Sequence, residues 1–370
     1  MDKKEIANKI LKSAGIQING QNDWDIKVNN PDFYNRVLSQ GSLGFGESYM
    51  EGWWECKKLD QLFDKILFAK LNEKVKFTLP EILVIASAKI FNLQSKSRAF
   101  EIGKKHYDTG NELFLAMLQK SMAYSCGYWK NFKNLNKAQY AKFDLICKKL
   151  NFKKGQKILD IGCGFGGFAK YAAENYGVSV LGITVSNEQA KFAQKLCKGL
   201  PIEFKVIDYR TLNEKFDHIV SIGMFEHVGP KNQKEYFAVA KKCLKDDGLL
   251  LLHTIAKMET NSGADLWINK YIFPNGALPS LTQIAKNIEG LFVIEDLHNF
   301  GADYDKTLMA WNANFQKAWP KLKVNYSETF KRMWEYYLLS CAGAFRSRSI
   351  QLWQIVLSPN GVKGGYKSIR

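Results

Sequence analysis

A chain of 370 residues that is 46% hydrophobic and 24% charged can hold a cofactor domain and a second lobe, and its core-forming content excludes an intrinsically disordered protein. Its formal net charge of +17 asks for an anionic partner, a demand that anionic lipid and nucleic acid both meet. The seven cysteines, Cys56, Cys126, Cys147, Cys163, Cys197, Cys243 and Cys341, lack CxxC spacing, so neither a metal site nor a secreted disulfide framework is expected.

The lysine-rich start, Met1 to Ile16, has no apolar run of signal-peptide length, and no uncharged stretch reaches the roughly 18 residues of a spanning helix. A cytoplasmic location is expected. Residues 1–95 read as a helical lobe with an aromatic cluster, Phe45 to Trp54, in the run GFGESYMEGWWEC. Leu79 to Phe91 (LPEILVIASAKIF) is apolar over about a dozen residues, which suits a core helix or an interfacial segment better than a span.

From Asn151 the punctuation changes to alternating strands and helices. Lys157 to Ile161 is a short apolar strand; Phe168, Tyr171, Ala172 and Tyr176 recur at helical spacing, and Gly177 is placed to end that helix. Val178 to Thr184 is the next strand. Ser186 and Gln189 have capping-box form ahead of a helix with Phe192, Ala193, Leu196 and Cys197 on one face. Ile202, Phe204 and Val206 alternate as in a strand, and His218 to Ile222 and Leu249 to Thr254 are two buried-strand candidates. The repetition predicts an α/β, mostly parallel, doubly wound sheet across 96–370. An insertion near 256–280, with Trp267, Tyr271, Ile272 and Phe273, is too long for a simple connection and reads as a lid or acceptor-binding element. Two aromatic helices follow, one marked by Leu308, Trp311, Phe315 and Trp319, the other by Phe330, Trp334, Tyr337, Cys341 and Phe345. Gln351 to Leu357 closes the sheet.

Asp160-Ile161-Gly162-Cys163-Gly164-Phe165-Gly166-Gly167, led in by Leu159, follows a strand and opens a helix, the context that makes a glycine motif informative. Its spacing resembles the nucleotide-binding loop of class I methyltransferases (DxGxGxG) as well as the dinucleotide fingerprint. The second strand ends Gly182-Ile183-Thr184-Val185-Ser186 with no carboxylate, which weakens a nicotinamide reading and, within the cofactor-binding run Thr184-Val185-Ser186-Asn187-Glu188-Gln189, leaves Thr184 and Gln189 as polar candidates for a ribose. Gln189 is equally explained by the capping box. After the third strand, Asp208, Tyr209 and Arg210 stand where an adenine is commonly clasped, with an aromatic face and a carboxylate suited to that task.

Five long stretches in order, HYDTGNELF (His106 to Phe114), MAYSCGYW (Met122 to Trp129), IVSIGMFEHVGPKN (Ile219 to Asn232), GADYDKTLMAW (Gly301 to Trp311) and LLSCAGAFRSR (Leu338 to Arg348), resemble the cyclopropane fatty acid synthases. GSLGFGESYMEGWW resembles the phospholipid-acting bacterial branch of that family. The resemblance covers nearly the whole chain. It implies a class I S-adenosylmethionine-dependent methyltransferase fold with a smaller helical N-terminal domain for lipid docking and dimerisation, peripheral association with the inner membrane, and an unsaturated phospholipid as substrate. It also implies a bicarbonate ion held by Cys126, Glu226, His253 and Tyr304 with a backbone contact at Ile255. Tyr124 and Ser125 match cofactor-contacting positions, and His106 to Asp108 match a loop that closes over the cofactor.

The implied chemistry is addition of a one-carbon unit to an alkene, a poor nucleophile, which needs a close, dry approach and a base to remove a proton from the resulting carbocation. Each residue also has a plainer explanation: Glu226 a helix cap, His253 a core histidine, Tyr304 a loop anchor, Cys341 a packing thiol. Cys341 matches a position often marked as an active-site cysteine, although this chemistry requires no covalent thiolate intermediate. The competing readings are a lipid methyltransferase giving a methyl-branched or methylene product, a nucleic-acid methyltransferase favoured by the charge but lacking any base-binding module, and a lipid-binding protein without catalysis.

Overall fold

The computed structural model describes residues 3–71, 111–260 and 265–370, which fall into two compact units. Leu79 to Phe91, His106 to Asp108 and the expected boundary at 95/96 lie outside the described residues. The first unit draws on the segments Met1–Phe91, Asn261–Pro274 and Tyr304–Ile350, and the second on Asn92–Thr260, Asn275–Asp303 and Gln351–Arg370.

The first unit is helical, built from Lys3–Lys12, Phe33–Met50, Leu59–Phe68, Leu266–Tyr271, Glu328–Arg346 and all but the start of Ala302–Leu322, with one small antiparallel ladder of β1 (Lys27–Val28) and β2 (Trp54–Glu55). Its core is aromatic. Trp54 is fully buried, stacks on Phe45 at 4.3 Å and meets Tyr49 at 5.0 Å, while Trp267 lies 4.5 Å from Tyr336. Gly343 lets two helices touch: a Cβ there would sit 2.7 Å from the Asp60 carbonyl oxygen and the Asp64 nitrogen. Arg346, one turn on, pairs with Asp60 at 2.7 Å and Asp305 at 2.9 Å. The stretch LLSCAGAFRSR thus supplies helix packing in this unit.

The second unit is built on one sheet of β3 (Lys157–Ile161), β4 (Ser179–Thr184), β5 (Ile202–Val206), β6 (Phe216–Ile222), β7 (Leu244–Ala256), β8 (Val293–Asn299) and β9 (Gln351–Ser358), in the order β5-β4-β3-β6-β7-β9-β8. Strands β3 to β7 run parallel to one another, and β9 runs antiparallel between β7 and β8. This is the expected α/β class. Alternate side chains leave opposite faces of a strand, so Leu159 and Ile161 join a core with Phe225, Tyr236 and Phe237, while Ile158 joins one with Phe143, Ile146 and Phe168. Helices Leu135–Lys149 and Gly167–Tyr176 cover the second face, and Gln233–Cys243 and Leu281–Ile288 the first. Gly177, at φ +64°, ends the Gly167–Tyr176 helix as its sequence position predicts.

Two expectations need correction. β8 was not anticipated, because Val293 and Ile294 are exposed and an irregular register between Ile294 and Asp296 breaks its alternation. The Ser186–Gln189 capping box is only half made: the Ser186 hydroxyl accepts the Gln189 amide proton at 3.3 Å, but Gln189 does not return the bond. The reciprocal box occurs instead at Ser280 and Gln283.

Candidate active site

A cavity opens at the carboxyl ends of the parallel strands, where doubly wound sheets place ligands. Its floor is the loop after β3. Gly162, at φ +83°, leaves no room for a Cβ against Met224, and a side chain at Gly167 would collide with the Ser121 carbonyl. These two glycines let the loop and the segment Met122 to Ser125 close around one space, so the loop's backbone can lie against a ligand.

Of the sequence-predicted cofactor positions, Tyr124, Ser125, Asp160, Ile161, Gly162, Cys163, Gly164, Phe165, Gly167, Thr184, Val185, Gln189, Tyr209 and Arg210 line this cavity. Leu159, Gly166, Ser186, Asn187 and Glu188 do not: Leu159 is core, Gly166 backs onto Ala193, Ser186 caps the helix Asn187–Leu196, and Glu188 pairs with Lys191. Because the capping box is half made, Gln189 is available. Its carbonyl accepts the Thr184 hydroxyl at 2.9 Å, and its amide nitrogen remains for a ligand hydroxyl. Asp208 lines the cavity as well, and it binds Arg210 through both carboxylate oxygens, accepting from Nε at 2.8 Å and Nη2 at 2.7 Å. That pair stiffens the turn that carries Tyr209.

Among the lining residues that sequence reasoning did not name as cofactor contacts are Lys142, Met224 and His227. Lys142 sits inside the helix Leu135–Lys149 with no exposed surface, and Nζ donates to the Ser125 hydroxyl at 2.6 Å. Burial brings it down to about 7, against the charge of Asp160, and burial raises Asp160 to about 7. Gln139, one turn earlier, donates to the Ser125 carbonyl at 2.7 Å. A polar face inside a helix has no signature that separates it from a solvated one, which is why it was not seen.

Beyond the end of β6 the chain turns through Phe225–His227 and brings Glu226 to β7. Gly223 donates to the His253 carbonyl at 2.9 Å, and the next amide on that strand edge, Ile255, donates to Glu226 Oε1 at 2.7 Å. A side chain therefore completes the ladder where β6 stops. Ala277 fixes the loop by donating to the Glu226 carbonyl at 2.8 Å. Glu226 Oε2 and His253 Nε2 are both buried and have no hydrogen-bond partner among the described residues. Burial lifts the Glu226 carboxyl to about 7, with the Ile255 amide opposing. Burial, then the charges of Lys142 and Lys149, keep His253 neutral, far below the ordinary imidazole range. Glu226 is anchored at Ile255, two residues along β7 from His253, and each of these two side chains keeps one buried polar atom that a small oxyanion could satisfy.

Cys126 is fully buried in the same unit. Tyr304 and Cys341 belong to the helical unit. There Tyr304 is buried and stacks on Phe345 at 4.3 Å, and Cys341 is partly exposed, its thiol raised to about 12 by burial with Asp265 adding to the effect.

Comparison with known proteins bears on the family and the fold. The family model of the mycolic acid cyclopropane synthetases matches residues 94–355. The chain is 58% identical over 365 residues, 99% of its length and 95% of the relative's, to the cyclopropane-fatty-acyl-phospholipid synthase of Escherichia coli. Among solved structures it is similar to the cyclopropane synthase MmaA2 from Mycobacterium tuberculosis, at 31% identity and a TM-score of 0.66, covering 70% of this chain and 97% of that one. The mycolic acid cyclopropane synthase CmaA1 complexed with SAH and CTAB gives the same values. The fold is that of the class I S-adenosylmethionine-dependent methyltransferases.

Proposed function

The chain belongs to the mycolic acid cyclopropane synthetase family, and from that premise we propose that it adds a methylene bridge from S-adenosylmethionine across the cis double bond of an unsaturated phospholipid acyl chain. The observation that carries the reading is the two buried atoms Glu226 Oε2 and His253 Nε2, without a partner among the described residues, in the same unit as the cavity at the strand ends.

S-adenosylmethionine supplies an electrophilic methyl group on a sulfonium. The glycine loop after β3, Tyr124 and Ser125 hold its amino-acid end, Thr184 and Gln189 its ribose, and Tyr209 and Arg210 its adenine. The site near Glu226 fits bicarbonate, which would supply the general base for the proton lost on ring closure. Glu226, Cys126, His253 and the Ile255 backbone would hold it. Because Oε1 of Glu226 already accepts the Ile255 amide, a protonated Glu226 carries its hydrogen on Oε2 and donates it to the anion. The apolar strands around the site exclude water, which would otherwise capture a carbocation.

The substrate's acyl chain lies in a bilayer. Among the described residues no helix is long and apolar enough to cross a membrane, so the proposal includes peripheral docking at the cytoplasmic face of the inner membrane, supported by the +17 charge. Residues 1–95 act as the docking and homodimerisation lobe in this reading.

The test is expression in a bacterium without cyclopropane lipids, followed by mass spectrometry and proton NMR of the fatty acid methyl esters. The expected result is a gain of one CH2 with upfield ring protons, lost in Glu226→Ala. A methyl-branched product would overturn ring closure while keeping the cofactor, and unchanged lipids with cofactor-binding protein would overturn the acceptor.

A further inference from the structure

Lys142 has no place in the function as described so far, yet it is a fully buried cation on the wall of the cofactor cavity. Its ammonium makes one hydrogen bond, to Ser125 Oγ at 2.6 Å, and lies 4.5 Å from the Phe143 ring centroid. Lys142 Nζ is the donor in that bond, so Ser125 Oγ accepts. The hydroxyl's own proton then points elsewhere, and it has no acceptor among the described residues. Gln139 clamps the same residue by its carbonyl, at 2.7 Å. Two residues one turn apart on a rigid helix thus fix one serine by both its backbone and its side chain.

Such a serine is a directed donor, strengthened by the neighbouring positive charge, and it suits an anionic group. The cavity shows which one. With the adenine at Tyr209 after β5 and the ribose at Thr184 after β4, an extended cofactor runs along the strand order β5-β4-β3 and brings its far end to β3. Asp160 of β3 and Lys142 are within electrostatic reach of each other at that end. The far end of S-adenosylmethionine is an amino acid, and its carboxylate is the anion available.

We propose that Lys142 is a positioning residue for cofactor recognition, acting through Ser125: its ammonium aims the Ser125 hydroxyl into the cavity to donate to the carboxylate of the cofactor's amino-acid end. This rests on the reading of the cavity as the S-adenosylmethionine site.

The experiment is calorimetric titration of the full chain with two probes, S-adenosylhomocysteine and 5′-methylthioadenosine, which shares the nucleoside and the thioether but lacks the amino acid. Lys142→Met weakens S-adenosylhomocysteine about tenfold or more, the size expected for a charge-assisted hydrogen bond, and leaves methylthioadenosine unchanged. Ser125→Ala does the same, and the double variant loses no more than either single one. Equal weakening of both probes, or no weakening, overturns the proposal. Should Lys142→Met fail to fold, Ser125→Ala carries the test alone, because it leaves the lysine in place; an unchanged preference for S-adenosylhomocysteine then overturns it. Wild-type protein that binds neither probe refutes the cofactor reading itself, whereas wild-type protein that binds both equally refutes only the role of Lys142.

Discussion

His253 on β7 and Gln354 on β9 are register partners in the antiparallel pair, with Gln354 Nε2 3.3 Å from His253 Nδ1. With the amide donating to Nδ1, the neutral ring carries its proton on Nε2, the atom without a partner among the described residues. Gln354→Leu removes that constraint and lets the proton settle on either nitrogen. One neutral hydrogen bond is worth about 1 kcal/mol, so kcat falls roughly five- to tenfold. KM for phospholipid does not change. Steady-state kinetics on vesicles checks the split, and a rise in KM alone would place Gln354 in acceptor binding instead.

Glu226 permits a sharper test. Its carboxyl is raised to about 7 by burial, and in the proposed role it donates from Oε2. Glutamine in the same pose keeps an N–H donor there and an oxygen for Ile255. Glu226→Gln is therefore expected to lose about tenfold, and Glu226→Ala at least about a hundredfold, the usual range for proton-transfer groups. Ionisation of Glu226 beside the proposed anion is repulsive, so wild-type kcat is expected to fall as pH rises above about 7. The glutamine variant has no such limb. A pH profile from 6 to 9 on both proteins decides it, since a shared alkaline limb excludes Glu226 as its source.

Much of the second unit is legible in the sequence because buried parallel strands are short apolar runs ending in polar or glycine residues. Lys157 to Ile161 followed by the glycine loop is the clearest example. Glu226 and His253 are legible as candidates through their long motifs. Their relation is not: the Ile255 amide that fixes Glu226 lies 29 residues away, and Gln354 lies 101 residues from His253 across an antiparallel register. Periodicity within a segment carries no information on which residue of another strand lies opposite. Lys142 was hidden by the same limit, since a lysine on a helix ordinarily reads as its wet face.

His218 gives a stability prediction. Its ring accepts the Leu249 amide proton at 3.1 Å and stacks on Phe152 at 5.7 Å, and burial pushes it down to about 4. In the unfolded chain it takes a proton near 6.5. Between those values the unfolded state binds more protons, so this contribution is complete above about 6.5 and is lost as pH falls through about 4. His227 and His298 are lowered to about 4 as well and act in the same direction. Thermal midpoints from pH 7.5 to 4.5 fall, and His218→Gln, which cannot titrate, falls less steeply. Parallel slopes would mean that His218 does not stay neutral in the folded protein.

Cys341 has its thiol lifted to about 12, so almost no thiolate exists at neutral pH. Native protein is expected to react with a disulfide reagent at Cys341 far more slowly than unfolded protein. Cys341→Ser lowers turnover without abolishing it. Complete loss in a folded, cofactor-binding variant would restore a chemical role for the thiol.

The net charge of +17 predicts how the enzyme meets its substrate. Exposed lysines attract an anionic bilayer through a field that decays over about 10 Å at 0.1 M salt and about 3 Å at 1 M. Each lysine near such a surface contributes about 1 kcal/mol, so a few are enough to recruit the protein and all are weakened together by salt. Co-sedimentation with phosphatidylglycerol vesicles at low salt, with release as salt is raised, is the expected result, and neutral phosphatidylcholine vesicles retain much less protein. Binding to both lipids with no salt dependence would shift the attraction from lysines to apolar insertion. Activity on anionic vesicles should follow the bound fraction as salt rises, because in the proposed reading the site reaches its acyl chain only while the protein is docked.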